Sequence, residues 1–323
     1  RKDQRSDGGM SVDGSKFIND KQAAEFLTGY FGVQVKDLEI VGEGAWSRCF
    51  GFRHGEDDLV IRFGRHLDDF AKDKRASAFA APGLPIPQVL DIGEAFGGYY
   101  AISQRVYGEP LELVDAAGWR ALVPALVDAL EVMRTVDLSD TSGFGGWNEE
   151  GMAPYARWSD RLLAIGQETN NDRTVGRMAQ LAQHPEGQAT FRWGYDLLQE
   201  IVDDSVPRSL IHGDLINRNV LVEDGCLNGV FDWGCSVYGD HLYDLAWFEF
   251  WSPWYPDLNI ELLRSALAAR WRETGYFAHN MEARLTACYL HIGLDHLAYN
   301  AYLSDWPVLE ATAKQMRRLI EEA

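Results

Sequence analysis

The chain has 323 residues, 46% apolar and 24% charged, with 49 acidic against 30 basic side chains and a formal net charge of −19. That length suits two packed lobes, and the composition is too apolar for disorder. The acidity disfavours nucleic acid and anionic membranes as partners and favours cations. No apolar run approaches the roughly 18 residues of a spanning helix, and the stretch RKDQRSDGGM lacks the apolar segment of a secretory signal. Met10 is a candidate start, with residues 1–9 read as an added segment. Cys49, Cys226, Cys235 and Cys288 are scattered without CxxC spacing, so a reducing cytoplasm is expected, with neither a disulfide framework nor a zinc site.

In chain order, residues 15–31 carry Phe17, Ile18, Ala24, Phe26, Leu27 and Tyr30 at helical spacing, closed by glycines at 29 and 32. Short β-rich runs follow at Leu38–Val41, Cys49–Phe52 and Leu59–Phe63, which predicts an antiparallel meander. A helix is predicted over 68–81, stopping before Pro82-Gly83, then strands near 88–93 and 99–106 around Gly97-Gly98. Beyond Gly108-Glu109-Pro110 the pattern turns helical, with amphipathic segments near 119–136, 155–167, 190–203, 241–251, 258–273, 281–303 and 307–322. Only short strands near 209–211, 219–223 and 227–231 interrupt them. The expected architecture is α+β and bilobal: a small β-rich lobe over 10–106 and a larger, mostly helical lobe over 107–323, with a cleft between them.

The segment Ile211–Leu221 (IHGDLINRNVL) carries most of the chemistry, together with Val230-Phe231-Asp232-Trp233-Gly234. It supplies an Asp, an Asn five residues later and a second Asp after an apolar run. Phosphoryl transfer from Mg-ATP needs one carboxylate to orient and deprotonate an acceptor hydroxyl, and an amide and a carboxylate to hold the metal. Asp214, on a loop directly after a strand, is the candidate base. Asn219 and Asp232 flank a hairpin turning at Glu223-Asp224-Gly225, which sets them side by side as oxygen ligands for Mg²⁺. His212 reads as a buried, hydrogen-bonded support, and the spacing of His291 and His296 does not suit metal. Gly42-Glu43-Gly44-Ala45-Trp46-Ser47 is a weak candidate for a phosphate-covering loop, with Gly44 backbone and the Ser47 hydroxyl as donors. Arg62, on the third predicted strand, stands where a kinase places a cation for the phosphates. Asp73, on the following helix, is its candidate partner.

The HGDxxxxN loop at 212–219, the FDWG turn at 231–234 and the run Tyr238–Ala246 (YGDHLYDLA) resemble the aminoglycoside phosphotransferase family, which has a protein-kinase-like fold. The resemblance spans roughly residues 15–305. Four further stretches, Leu84–Glu94, Asp137–Gly145, Phe250–Trp254 and Ile292–Leu297, are similar to the branch that acts on hygromycin B, in which Arg at the position of Arg62 is a shared trait. The resemblance implies ATP-dependent phosphorylation of one hydroxyl, the 4-hydroxyl in that branch, on a polycationic antibiotic, with Mg²⁺ as cofactor. It makes Asp244 a structural anchor and places adenine against hinge backbone at Gln104, Arg105 and Val106. Glu249, Trp251, Trp254, Asp257 and Asp295 become candidate substrate contacts beside Asp214, carboxylates for ammonium groups and indoles for sugar faces and cations. A monomer is expected. A metabolic kinase for choline, homoserine or a sugar, and a catalytically dead nucleotide-binding module, both stay open on sequence alone.

Overall fold

The structure, a computed structural model, describes residues 18–44, 47–170 and 172–322. Residues 1–9, Met10, Phe17, Ala45 and Trp46, which figure in the sequence reading, lie outside the described residues. The first helix, α1 (Asp20–Phe31), begins at an Asn19 cap whose side chain and that of Gln22 exchange backbone hydrogen bonds, and ends at Gly32 in the left-handed region. Gly29 lies inside it.

Five antiparallel strands follow, β1 (Lys36–Glu43), β2 (Ser47–His54), β3 (Asp57–Gly64), then β4 (Val89–Ala95) and β5 (Gly98–Gln104), in the order β1-β2-β3-β5-β4. Leu59, Ile61 and Phe63 alternate onto the buried face of β3, meeting Phe50, Phe52, Ile102 and Leu27 of α1. Each such buried side chain contributes about 1.5–3 kcal/mol. Helix α2 (Leu67–Ala76) crosses from β3 toward β4. The predicted helix to residue 81 tightens into a 3₁₀ turn at Ser77–Phe79, where Ser77 Oγ donates to the Lys74 carbonyl and closes the last turn.

The remainder is mostly helical. Its elements are β6 (Glu109–Pro110), α3 (Ala116–Thr135), β7 (Gly145–Gly146), α4 (Trp158–Leu163), α5 (Arg177–Leu181), α6 (Pro185–Ile201) and β8 (Ser209–Ile211). Then come β9 (Val220–Glu223), β10 (Cys226–Val230), β11 (Val237–Gly239), α7 (Leu242–Trp251), α8 (Ile260–Thr274), α9 (Met281–Tyr302) and α10 (Trp306–Glu322). Helix α9 is buried along most of its length, packed by α5, α6, α7 and α10, and forms the axis of the larger core. Two small three-stranded sheets, β10-β9-β6 and β7-β11-β8, lie on this part and carry the loops described next. A β-sheet region followed by a helical part is the architecture the sequence predicts. Among the described residues no helix is long and apolar enough to cross a membrane.

Candidate active site

Strand β8 is wholly buried and delivers His212-Gly213-Asp214 at its end. The chain turns there because Gly213 adopts φ +78°, a left-handed conformation that costs glycine little. Asp244, in the first turn of α7, accepts from the backbone N–H groups of His212 (2.9 Å) and Gly213 (2.8 Å). His212 is fully buried, and its Nε2 donates to the Phe231 carbonyl at 3.0 Å. Its Nδ1 therefore accepts from the Asp214 N–H at 3.2 Å. Burial pushes the imidazole down to about 4, which keeps it neutral and unsuited to carrying a proton near neutrality.

Asp214 is held by two amides: Asn217 donates to Oδ1 at 2.7 Å and Asn219 to Oδ2 at 3.0 Å. Burial, reinforced by the charges of Asp232 and Glu112, outweighs those hydrogen bonds and pushes its carboxyl up to about 7. Asn217 and Arg218 are consecutive left-handed residues (φ 62° and 66°), a conformation Asn tolerates and Arg does not favour. The Arg218 N–H donates to Glu112 Oε1 at 2.7 Å, which holds that strain in place. Asn219 spends both amide hydrogens on Asp214, one on the carbonyl at 2.8 Å and one on the carboxylate, so its amide oxygen remains for a cation.

The hairpin of β9 and β10 turns at Asp224 and Gly225, both left-handed, a pairing that matches strand twist. At its open end the Phe231 N–H donates to the Asn219 carbonyl at 3.0 Å, which sets Asp232 beside Asn219. Asp232 is itself left-handed (φ 60°, ψ 61°), and its carboxylate is half-exposed. Arg62 on β3 reaches it at 3.3 Å and pairs with Asp73 of α2 at 2.9 Å. The other Asp73 oxygen accepts from the Trp233 N–H at 2.7 Å. Burial outweighs Arg62 and pushes the Asp73 carboxyl up to about 6. A cavity of about 70 Å³ brings together Gly44, Ser47, Arg62, Arg65, His66 and Asp232. Gly44 N–H donates to the Ser47 carbonyl at 2.9 Å, which ties the end of β1 to the start of β2.

At the end of β5, the N–H groups of Gln104 and Arg105 donate to Gln88 and Asp58, and the Arg105 side chain pairs with Glu39 at 2.7 Å. Val106 packs close to Gly229 of β10. At the end of α7, Trp251 meets Trp254 (ring centroids 5.2 Å apart) and His296 of α9 (4.6 Å) in edge-to-face contacts. Asp295, half-exposed, adjoins His296 on α9. Tyr299 lies one turn on; burial first, then the charges of Cys235, Asp295 and Asp214 among others, raise its phenol above the ordinary value. Two further candidate contacts have different surroundings. Glu249 is buried, with one carboxylate oxygen on Arg264 at 2.9 Å and the other on the Tyr289 hydroxyl, so its charge is already answered within the protein. Asp257 is exposed in the turn before α8. His291 bonds Arg161 and Tyr243, and His296 bonds the Ile292 carbonyl.

The profile of the phosphotransferase enzyme family matches residues 37–279. The chain belongs to that family. Hygromycin-B 4-O-kinase of Escherichia coli is 33% identical over 276 residues, 81% of this chain and 74% of that protein. Aminoglycoside 3'-phosphotransferase of Enterococcus faecalis is 23% identical over 184 residues, 55% of this chain and 63% of that protein. Among solved structures, aminoglycoside phosphotransferase APH(4)-Ia superposes with a TM-score of 0.78 at 29% identity, covering 94% of this chain and 99% of that one. A ternary complex of a thermostable mutant of that protein with AMP-PNP and hygromycin B gives 0.74 at 30% identity, covering 92% and 97%. The kinase-like fold predicted from the motifs is therefore the fold of the phosphotransferase family to which the chain belongs.

Sequence reasoning missed four residues around this site: Lys72, Glu112, Asn217 and Tyr299. Asn217 was within reach, since an Asn two residues before Asn219 in a loop is a natural left-handed position. Lys72 shares a helix face with Asp69, Asp73 and Ala76, a spacing that flags an inward-facing charge. No local pattern marks Glu112 or Tyr299, which meet the site only through tertiary packing.

Proposed function

We propose that the chain is an ATP-dependent O-phosphotransferase acting on a hydroxyl of a cationic aminocyclitol antibiotic, with hygromycin B and its 4-hydroxyl as the acceptor. The observation that carries this reading is the meeting of Asp214, Asn219 and Asp232 at one end of a hairpin, opposite the Arg62–Asp73 pair. The 33% identity to Hygromycin-B 4-O-kinase supports the acceptor.

In this reading the lobes divide near residues 106–107 and the nucleotide lies between them. The hinge at Gln104, Arg105 and Val106 meets adenine, and Gly44, Ser47 and Arg62 meet the phosphates. Asp214 accepts the hydrogen of the acceptor hydroxyl and aims its oxygen at the terminal phosphorus. The raised carboxyl suits it to take that proton as the new O–P bond forms and the bond from the terminal phosphorus to the departing ADP breaks. Among the described residues no group of three or more His, Cys, Asp or Glu could hold a metal unaided. The donor set fits Mg²⁺ instead: one amide oxygen from Asn219 and one half-exposed carboxylate from Asp232, with waters and phosphate oxygens to complete the shell. When bound there, Mg²⁺ supplies charge neutralisation for the phosphates. Positioning and electrostatics, not a covalent intermediate, account for the rate. Trp251, Trp254 and Asp295 face the antibiotic, and the enzyme acts as a cytoplasmic monomer.

ADP release coupled to a reporter, with Mg-ATP and hygromycin B, kanamycin, streptomycin, viomycin or choline, tests this. Turnover confined to hygromycin B is expected. Turnover with kanamycin or choline instead would keep the kinase and overturn the acceptor. Absence of Mg-ATP binding in a thermal-shift assay would overturn both.

A further inference from the structure

Lys72 is a buried cation with no part in the chemistry described so far. It is 8% exposed, in the middle of α2, and none of its hydrogen-bond partners is a carboxylate. Its ammonium donates to the carbonyls of Gly234 (2.9 Å) and Ser236 (3.0 Å) and lies over the Trp147 ring, 5.4 Å from the centroid. Burying an ammonium against neutral dipoles is costly, and a core packing role would be met more cheaply by Met or Leu.

The two carbonyls belong to the turn that begins at Asp232. That residue holds a left-handed conformation, uncommon outside glycine though open to Asp, and here held by its surroundings. The surroundings come from α2. Lys72 takes the carbonyls of residues 234 and 236, and the next residue, Asp73, takes the N–H of Trp233. Donor and acceptor on adjacent side chains thus grip three backbone groups within four residues. Beneath the turn, Ser236 Oγ donates to the Ile211 carbonyl at 2.6 Å and accepts from the Trp147 indole at 3.2 Å. The free oxygen of Asp73 pairs with Arg62. One turn back, Asp68 and Asp69 pair with Arg173 at 2.7 and 2.9 Å, which fastens the start of α2 to the helical part. Helix α2 therefore sets the distance between the phosphate-facing cation and the carboxylate of Asp232.

We propose that Lys72 is a positioning residue for phosphoryl transfer: its ammonium clamps the backbone after Asp232 and fixes that carboxylate's aim at the metal. The inference rests on the reading of Asp232 as a metal ligand. Partners that orient a ligand typically cost ten- to a hundredfold in metal affinity or activity when removed.

The test compares wild type, Lys72→Met, Lys72→Arg and Asp232→Asn. Four quantities are measured: the Mg²⁺ concentration for half-maximal rate, kcat, KM for the antibiotic, and the melting temperature. Lys72→Met is expected to raise the Mg²⁺ requirement or lower kcat by about ten- to a hundredfold, with the antibiotic KM unchanged. Lys72→Arg, which keeps the cation and its donors, recovers most of the loss. A lower melting temperature with wild-type Mg²⁺ dependence and kcat would overturn the proposal, leaving Lys72 a structural residue. If Asp232→Asn left Mg²⁺ dependence untouched, the metal reading would fail and the inference with it. If it loses activity while Lys72→Met does not, only the inference falls. Should Lys72→Met not fold, Lys72→Gln in the same assays gives the same decision.

Discussion

The role proposed for Asp214 rests on placement: a buried strand end behind it, two amides on its carboxylate, and Asp244 fixing the turn. None of these groups is among those proposed to meet the nucleotide, and only Asn219 is shared with the proposed metal site. Asp214→Ala is therefore expected to lower kcat by about 10²–10⁴-fold, the usual contribution of a positioned base, while nucleotide affinity measured by calorimetry stays near wild type. A variant with near-normal turnover would remove Asp214 from the base role. The spacing of Asp214, Asn219 and Asp232 was legible in the sequence because one short loop and one hairpin fix their separation. Lys72 and Glu112 were not, because the groups they hold are 162 and 106 residues away in the chain. Glu249 shows the opposite difficulty. A carboxylate in the run LYDLAWFEFW looks like a ligand contact, yet nearly every residue of α7 is buried, and a charge inside such a helix finds its partners in the protein.

At the scale of elements, the β-sheet region was legible because alternation along Leu59, Ile61 and Phe63 is strict and glycines mark the turns. Of the small sheet of β7, β11 and β8 only β8 was, as the strand near 209–211; β7 and β11 were not, since two- and three-residue strands carry too few positions for any period. That sheet nonetheless carries the loop of Asp214: Val237 pairs with Ile211 and with Gly146, and β8 ends one residue before His212. Its thickness is set by Gly239, where an added Cβ would stand 2.1 Å from the ring of Trp158, itself buried. Gly239 is not in the left-handed region, so the requirement is space alone. Gly239→Ala must displace a buried indole and is expected to destabilise by about 1–3 kcal/mol, in the range of overpacked cores. A urea unfolding midpoint equal to wild type would mean that Trp158 can move freely, and the account of the sheet would be wrong.

For the whole molecule, the shift from β-rich to helical pattern near residues 105–110 was visible because the two parts differ in period, whereas how α2 bridges them depends on contacts no local pattern encodes. The net charge of −19 bears on both proposed substrates, and in opposite senses. In the proposed reading a polycationic antibiotic is drawn toward the acidic surface, while ATP is repelled by it and depends on local cations, Arg62 above all. Added salt shortens the screening length from about 10 Å at 0.1 M to about 3 Å at 1 M, which weakens both long-range effects. The KM for the antibiotic is therefore expected to rise with NaCl, while the KM for ATP falls or stays level. Steady-state kinetics across a salt series, with each substrate varied at saturating levels of the other, separates the two. A parallel rise in both KM values would indicate a general salt effect on the enzyme. An antibiotic KM that stays flat would mean that acceptor binding rests on short-range contacts at Trp251, Trp254 and Asp295 and draws nothing from the charge of the whole.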